Sequence, residues 1–171
     1  MNVTTAAADL VKEVSAYLET TAQHATESEN GGSSAKPILL PYGNSAASEC
    51  ALQATIDLFA ALPIRVRVLH VRETEFTYVG PVAQETEEEA QACAADAVAR
   101  LRCHGITASS VVRHGGKHVL PSLILTEAHQ IGASVIVLGA RPRHALATLI
   151  AGSTSKPVLR QADCPVLLVH P

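Results

Sequence analysis

The residues best suited to chemistry follow an apolar run near the end of the chain. Gly139 comes directly after the run at 135–138, and Gly152-Ser153-Thr154 stands at the start of a predicted helix. A helix start presents free backbone N–H groups and the positive end of the helix dipole, and both favour an anion. The Ser153 and Thr154 hydroxyls can add hydrogen bonds. This pattern indicates a phosphate-binding loop, with Gly139 allowing the backbone to approach a ligand without an intervening Cβ.

Between these glycines, the loop carries three residues that act in opposite directions. Pro142 removes one N–H donor and holds φ at about −65°, which leaves fewer amides for a phosphate. Arg141 and Arg143 are cations that could replace amide contacts with charge-assisted hydrogen bonds. The alternative is a solvated basic loop on an acidic protein, and the sequence leaves both interpretations open.

The composition of the 171-residue chain argues against two classes of protein. Its apolar runs are all shorter than the roughly 18 residues that span a bilayer, so we expect no membrane insertion. The formal net charge is −3 and aromatic residues make up 3%, so no nucleic-acid surface is expected. The four cysteines are widely spaced and no basic stretch precedes an apolar core at the N-terminus. Both features favour free thiols in the cytoplasm.

The other polar residues indicate neither a metal site nor a catalytic site. His114 and His118 are four positions apart, but a Gly-Gly turn separates them, so they do not share a helix face. The sequences around Ser45, Ser122 and Ser153 lack the pattern of a catalytic serine at a strand-to-helix turn. We therefore assign no catalytic residue and no metal ligand.

The elements that must position these residues alternate between strand and helix. Strands are predicted at 38–40, 64–71, 107–113, 134–139 and 165–170, and helices at about 45–62, 83–103, 119–130 and 154–162. The segment 74–84 is predicted as a loop. His70 and His170 fall in strands and are expected at a dimer contact or at a polar end of the sheet. Such alternation predicts an α/β fold, with a doubly wound parallel sheet covered by helices on both faces.

The first 35 residues differ in composition from the rest. Apolar residues recur at helical spacing over about 5–22, which predicts one amphipathic helix. A polar, Gly/Ser-rich linker follows, and the domain proper is predicted at 36–171. The helix either packs on its own domain or dimer, or forms an arm that finds a partner protein.

Several stretches together resemble the universal stress protein family. "ILLPYGNSAASECAL" is similar to its opening strand, "VLHV" to its second strand, and "VLRQADCPVLLVH" to its closing helix and strand. The family carries Gly, two residues, Gly, nine residues, and then Gly-Ser or Gly-Thr after its fourth strand. Here those places hold Gly139, Pro142, Gly152 and Ser153, so the spacing is kept while the second glycine is lost. The resemblance spans about residues 36–171.

The resemblance implies a Rossmann-like, five-stranded sheet of the adenine nucleotide alpha hydrolase type. It also implies homodimers, commonly through the last strand, and in one branch of the family a bound ATP with Mg²⁺. Carried over to this chain, the residues near adenosine are Pro41, Gly43, Val71, Leu138 and Gly139. Those near the phosphates are Gly152, Ser153 and Thr154, with Arg141 and Arg143 in the same loop.

One further departure concerns the end of the first strand. Nucleotide-binding members usually have an aspartate there, and this chain has Gly43. The resemblance implies a cytosolic protein that binds ATP in a regulatory or sensing role and signals to an unknown protein partner. The alternative is a nucleotide-free dimer that acts as a protein-interaction module. Enzymatic activity stays uncertain, because the family allows slow ATP hydrolysis or autophosphorylation and no residue here specifies either.

Overall fold

The structure is a computed structural model that describes residue 16 and residues 36–78, 80–140 and 153–170. The chain divides into two units, Met1–Lys36 and Pro37–Pro171. Apart from Ala16, which is helical, the predicted N-terminal helix and linker lie outside the described residues. The same holds for Arg141, Pro142, Arg143 and Gly152 of the predicted loop.

Strands and helices alternate along the second unit, as predicted. The strands are β1 (Ile38–Pro41), β2 (Arg65–Thr77), β3 (Gly80–Ala83), β4 (Thr107–Gly115), β5 (Val135–Gly139) and β6 (Val166–Val169). The helices are α1 (Ala46–Phe59), α2 (Glu87–Cys103), α3 (Leu120–Ile131) and α4 (Ser155–Gln161), with a short 3₁₀ turn at Lys117–Val119. The α/β prediction is confirmed.

Five of the strands form a parallel sheet in the order β4-β2-β1-β5-β6. Ile38 of β1 lies opposite Val66 of β2 on one side and Val135 of β5 on the other. The strand order therefore reverses at β1, between β2 and β5. In open α/β sheets, this reversal leaves a crevice at the carboxyl ends of the strands, where ligands bind.

The prediction of a loop over 74–84 is wrong. Strand β2 continues to Thr77 and pairs antiparallel with β3, so that Thr74 lies opposite Ala83 and Thr77 opposite Gly80. Gly80 has a φ of 115°, a backbone conformation that residues with a side chain rarely adopt. Glycine at this position therefore lets the chain reverse. The hairpin gives the segment a partner for its backbone hydrogen bonds, a gain that local composition does not reveal.

The core fills both faces of the sheet. On one face, α3 and α4 pack on a buried cluster that includes Leu39, Leu69, Ile124, Ile136 and Val158. Because successive strand residues point to opposite faces, the other side chains of β1 and β2 face α1 and α2. The central strand β1 is fully buried, so the crevice at its end has a rigid base.

Two helix starts are fixed by side-chain caps near that crevice. The Ser45 hydroxyl accepts a hydrogen bond from the Ser48 amide at 3.2 Å, which begins α1. Thr86 and Glu89 cap the start of α2 reciprocally, with the Thr86 amide donating to the Glu89 carboxylate at 2.7 Å. Both helices follow strands of the sheet, and their capped starts lie at the end of the sheet where the parallel strands have their carboxyl ends.

Candidate functional site

A cleft of about 560 Å³ opens at the carboxyl ends of β1, β2 and β5. The ends of these strands form its floor, the start of α1 forms one wall, and the β2–β3 hairpin forms another. The described residues that line it are Pro41–Ser45, Ala47, Ser48, Leu69–Val71, Glu73, Gln84, Glu85, Lys117, Leu120, Ile124, Leu138, Gly139 and Ser153–Ser155. The cleft thus occupies the position at which the strand order reverses.

The structure brings together every predicted site residue that it describes. Seven of them line the cleft: Pro41, Gly43, Val71, Leu138, Gly139, Ser153 and Thr154. They come from three strand ends and from the turn before α4. The other three predicted residues, Arg141, Arg143 and Gly152, lie outside the described residues.

Gly43 leaves open space beside the start of α1. A Cβ built at this position meets no atom within 4 Å, and the residue does not have a left-handed backbone. The Gly43 carbonyl accepts a hydrogen bond from the Ser45 amide at 2.8 Å, which shapes the turn into the helix. The cleft therefore has room for a larger side chain at position 43.

Packing within the domain gives a second reason for glycine at position 139. A Cβ there would lie 2.0 Å from the Ala47 carbonyl oxygen and 2.4 Å from the Ala47 carbonyl carbon. The space that a side chain at position 139 would occupy is therefore filled by the first turn of α1. Close packing of α1 on β5 requires glycine at this position.

Tyr42 connects the cleft to an ion pair between α1 and α2. Its hydroxyl donates a hydrogen bond to Glu49, whose carboxylate also binds Arg100 through two contacts of 2.9 Å. Burial and the neighbouring Glu49 raise the pKa of the Tyr42 phenol well above its ordinary value. The hydrogen bonds from Arg100 and Tyr42 lower the pKa of Glu49. The network holds the Tyr42 side chain as a neutral hydrogen-bond donor.

His70 and Glu85 form a second polar pair in the wall of the cleft. The His70 side chain is only 4% exposed, and its Nε2 lies 2.6 Å from Glu85 Oε1. Its Nδ1 lies 3.0 Å from the Tyr42 carbonyl oxygen. A carbonyl only accepts hydrogen bonds, so Nδ1 must carry a hydrogen. Nε2, on the other side of the ring, faces the Glu85 carboxylate.

Charged groups of both signs meet beside the β2–β3 hairpin, with Glu73 and Glu75 in β2 and Lys117 in the 3₁₀ turn after β4. Lys117 Nζ lies 2.9 Å from Glu75 and 3.7 Å from Glu73. These contacts raise the pKa of Lys117 and keep it protonated. Among the described lining residues, Lys117 is the single Lys or Arg, and two carboxylates already surround it.

The family model that matches this sequence is that of the universal stress protein family, over residues 34–170. The chain belongs to the universal stress protein family. A search of curated proteins found no match.

Solved structures of universal stress proteins have the same fold. One from Archaeoglobus fulgidus is 25% identical, with 78% of this chain and 97% of that chain covered and a TM-score of 0.61. Another from A. fulgidus, in complex with dAMP, is 22% identical, with 78% and 96% covered and a TM-score of 0.57. A universal stress protein in complex with cAMP is 16% identical, with 79% and 96% covered and a TM-score of 0.59.

Sequence reasoning missed the polar groups of this universal stress protein domain that are held by distant partners. It left Tyr42, Glu85 and Lys117 out of the site, and it placed His70 at a dimer contact or a polar end of the sheet. His70 is buried in β2, directly after Leu69, the last β2 residue that pairs with β1. His70 is the next-to-last residue of the strand predicted at 64–71. A histidine at that position, where the strand meets the crevice, could have indicated a residue of the site.

The described residues contain no group of three or more His, Cys, Asp or Glu side chains placed to hold a metal ion. None of their helices is long and apolar enough to cross a membrane.

Proposed function

We propose that this universal stress protein binds an adenine nucleotide, ATP with Mg²⁺, in a regulatory or sensing role in the cytosol. The observation that carries the proposal is the convergence of seven predicted residues on one cleft at the switch point of the sheet. These residues come from four separate segments of the chain, which only the fold brings together.

The residues of the cleft fit such a ligand in size and chemistry. Its volume of about 560 Å³ lies within the range of small-molecule sites. Val71, Leu138 and Ile124 offer apolar surface for a base. Polar groups at the start of α1 and at Ser153-Thr154 also line the cleft. The nucleoside would be held near Pro41, Gly43 and Val71, and the phosphates near Gly152, Ser153 and Thr154, with Arg141 and Arg143 adding positive charge.

The related structures support the choice of ligand class. Two universal stress proteins with the same fold are described in complex with dAMP and with cAMP. Both ligands contain adenine and a phosphate group. We infer by similarity that this chain takes a ligand of the same class.

The proposed signal depends on the loop over 140–153 and on dimer formation. Bound phosphates would contact both the arginines of the loop and the hydroxyls at its end, so that one ligand would link them. Strand β6 is the last in the order of the described sheet and pairs with β5 alone among the described strands. We propose that β6 pairs with a second copy of the chain, so that nucleotide state reaches a protein partner through the dimer.

Specific observations also favour the second candidate, a nucleotide-free dimer that acts as an interaction module. Gly43 supplies no carboxylate to a nucleoside, and Pro142 supplies no amide to a phosphate. Glu73 and Glu85 add negative charge to the cleft, which opposes a triphosphate at that end.

Calorimetric titration with Mg-ATP separates the two candidates when wild type is compared with the Gly43→Asp/Pro142→Gly variant. The open space at Gly43 accommodates an aspartate, and Pro142→Gly restores an amide donor. One hydrogen bond to a charged group is worth roughly ten- to a hundred-fold in affinity, and each of the two changes adds one hydrogen-bonding group, so we expect the double change to tighten binding by at least that factor.

The matched control is Ala61→Asp. Ala61 is exposed after the carboxyl end of α1 and does not line the cleft. It should leave the affinity at the wild-type value. Equal affinities for wild type and the double variant would contradict the proposed ligand site.

A further inference from the structure

The charged groups of the cleft are not equivalent. Of its two lining glutamates, Glu73 lies 3.7 Å from the Lys117 ammonium group. The Glu85 carboxylate has no Lys or Arg contact among the described residues, and its Oε1 is held at 2.6 Å by the buried His70. Glu85 is therefore the lining carboxylate that no lysine or arginine neutralises in the described part of the cleft.

The position of Glu85 is fixed from both sides. Its backbone carbonyl accepts a hydrogen bond from Arg72 Nε at 2.8 Å. The next residue, Thr86, is locked in the capping box of α2. The Glu85 side chain is 17% exposed and contacts the His70 ring, which the Tyr42 carbonyl orients in turn. A carboxylate held in this way is preorganised to accept a further hydrogen bond at little cost in side-chain entropy.

We propose that Glu85 determines the specificity of the cleft by accepting a hydrogen bond from an O–H or N–H group on the nucleoside half of the ligand. Oε1 is engaged by His70, so the ligand group contacts Oε2. Gly43 offers no side-chain acceptor, and Glu85 supplies a carboxylate to this end of the cleft. His70 acts as a positioning residue that orients Glu85.

The assignment rests on the proposed function and also orients the nucleotide. Negative charge at Glu73 and Glu85 disfavours phosphate at the hairpin side, whereas Ser153 and Thr154 present hydroxyls elsewhere in the cleft. The sugar and base therefore lie toward Glu85, and the phosphates lie toward the start of α4.

The test measures ligand discrimination by calorimetry in the full chain. The probes are Mg-ATP, its 2′-deoxy and 3′-deoxy analogues, and inosine triphosphate, which lacks the amino group of adenine. One analogue lacks the ligand group that donates a hydrogen bond to Glu85. Wild type should bind this analogue roughly ten- to a hundred-fold more weakly than it binds ATP. The Glu85→Ala variant should bind ATP as weakly as it binds that analogue. The penalty, meaning the loss of affinity from ATP to the analogue, should therefore disappear in this variant. The identity of the analogue distinguishes a sugar hydroxyl from the base amino group.

Two variants make the result decisive. Glu87→Ala removes a carboxylate that contacts Arg72 at 3.8 Å and His114 at 3.2 Å, outside the residues that line the cleft. It should keep the wild-type penalty. Glu85→Gln preserves a hydrogen-bond partner for His70 and should fold even if the alanine variant does not. Its penalty should shrink, because charge-assisted hydrogen bonds are about twice as strong as neutral ones.

Two results would overturn the assignment while leaving nucleotide binding intact. These are equal affinities of all four probes for wild type, or a penalty in the Glu85 variants as large as in wild type. No binding of any probe to wild type at millimolar concentration would overturn the proposed function and this assignment together.

Discussion

Substitution of Gly139 by alanine tests the packing that shapes the cleft. The added Cβ would lie 2.0 Å from the Ala47 carbonyl oxygen and 3.0 Å from the Ser48 amide nitrogen. These atoms belong to the backbone of α1, so no side-chain rotation can relieve the overlap. The helix must therefore move away from β5 by roughly 1.5 Å to reach a van der Waals distance of about 3.5 Å.

The expected cost follows from the rigidity of this contact. Extra methyl groups in a close-packed interior cost about 1–3 kcal/mol, and occasionally more. We place Gly139→Ala at the upper end, about 3 kcal/mol, because the contact is with backbone on both sides. For a chain of this size, that loss corresponds to a fall in melting temperature of about 6–12 °C.

Thermal unfolding followed by circular dichroism measures this effect, with Gly43→Ala as the matched control. A Cβ at Gly43 meets no atom within 4 Å, so its melting temperature should stay within about 2 °C of wild type. The Gly139 variant should also bind nucleotide more weakly, because Ala47 and Ser48 of α1 line the cleft. Equal melting temperatures for the two alanine variants would refute the packing account of Gly139.

Two other predictions concern the start of α2 and the Tyr42 network. Thr86→Ala should lower the free energy of unfolding by about 1 kcal/mol, because the hydroxyl that caps the Glu89 amide is lost. Thr86→Ser keeps a hydroxyl and should leave the free energy of unfolding unchanged. Equal losses of this free energy for the two variants in urea unfolding would contradict the role of Thr86 as a cap. Arg100 and Tyr42 lower the pKa of Glu49 in the folded state, so its stabilisation is full above the unfolded value of 4.5 and is lost as pH falls through the folded value. Glu49→Gln should therefore be less stable than wild type at pH 7, by at most about 1 kcal/mol because the pair is half exposed. The difference should vanish at low pH, and a pH-independent difference would contradict this assignment.

The fold was predictable wherever local pattern and tertiary structure agree. The apolar run at 38–40 and the apolar residues at 135–138 became the two central strands, which are buried on both faces. The hairpin of β2 and β3 was not predictable from such patterns. Its residues mix charges with Thr, Pro and Gly, and only pairing across the turn stabilises the extended conformation.

The site was predictable for residues at the strand ends, because parallel strands deliver their carboxyl ends to one crevice. Pro41, Val71 and Leu138 meet there for this reason. The polar pairs were not predictable, because their partners are distant in sequence and meet only when α2 packs on the sheet. Glu49 and Arg100 are 51 positions apart, and His70 and Glu85 are 15 positions apart.

The central claim is that the cleft holds an adenine nucleotide. Mass spectrometry of small molecules released from freshly purified wild-type protein tests this claim most directly, with Mg-ATP titration of the nucleotide-free protein as its complement. We expect release of an adenine nucleotide or measurable heat of binding below millimolar concentration. Release of no nucleotide, together with no heat at millimolar Mg-ATP, would contradict it and favour the nucleotide-free interaction module.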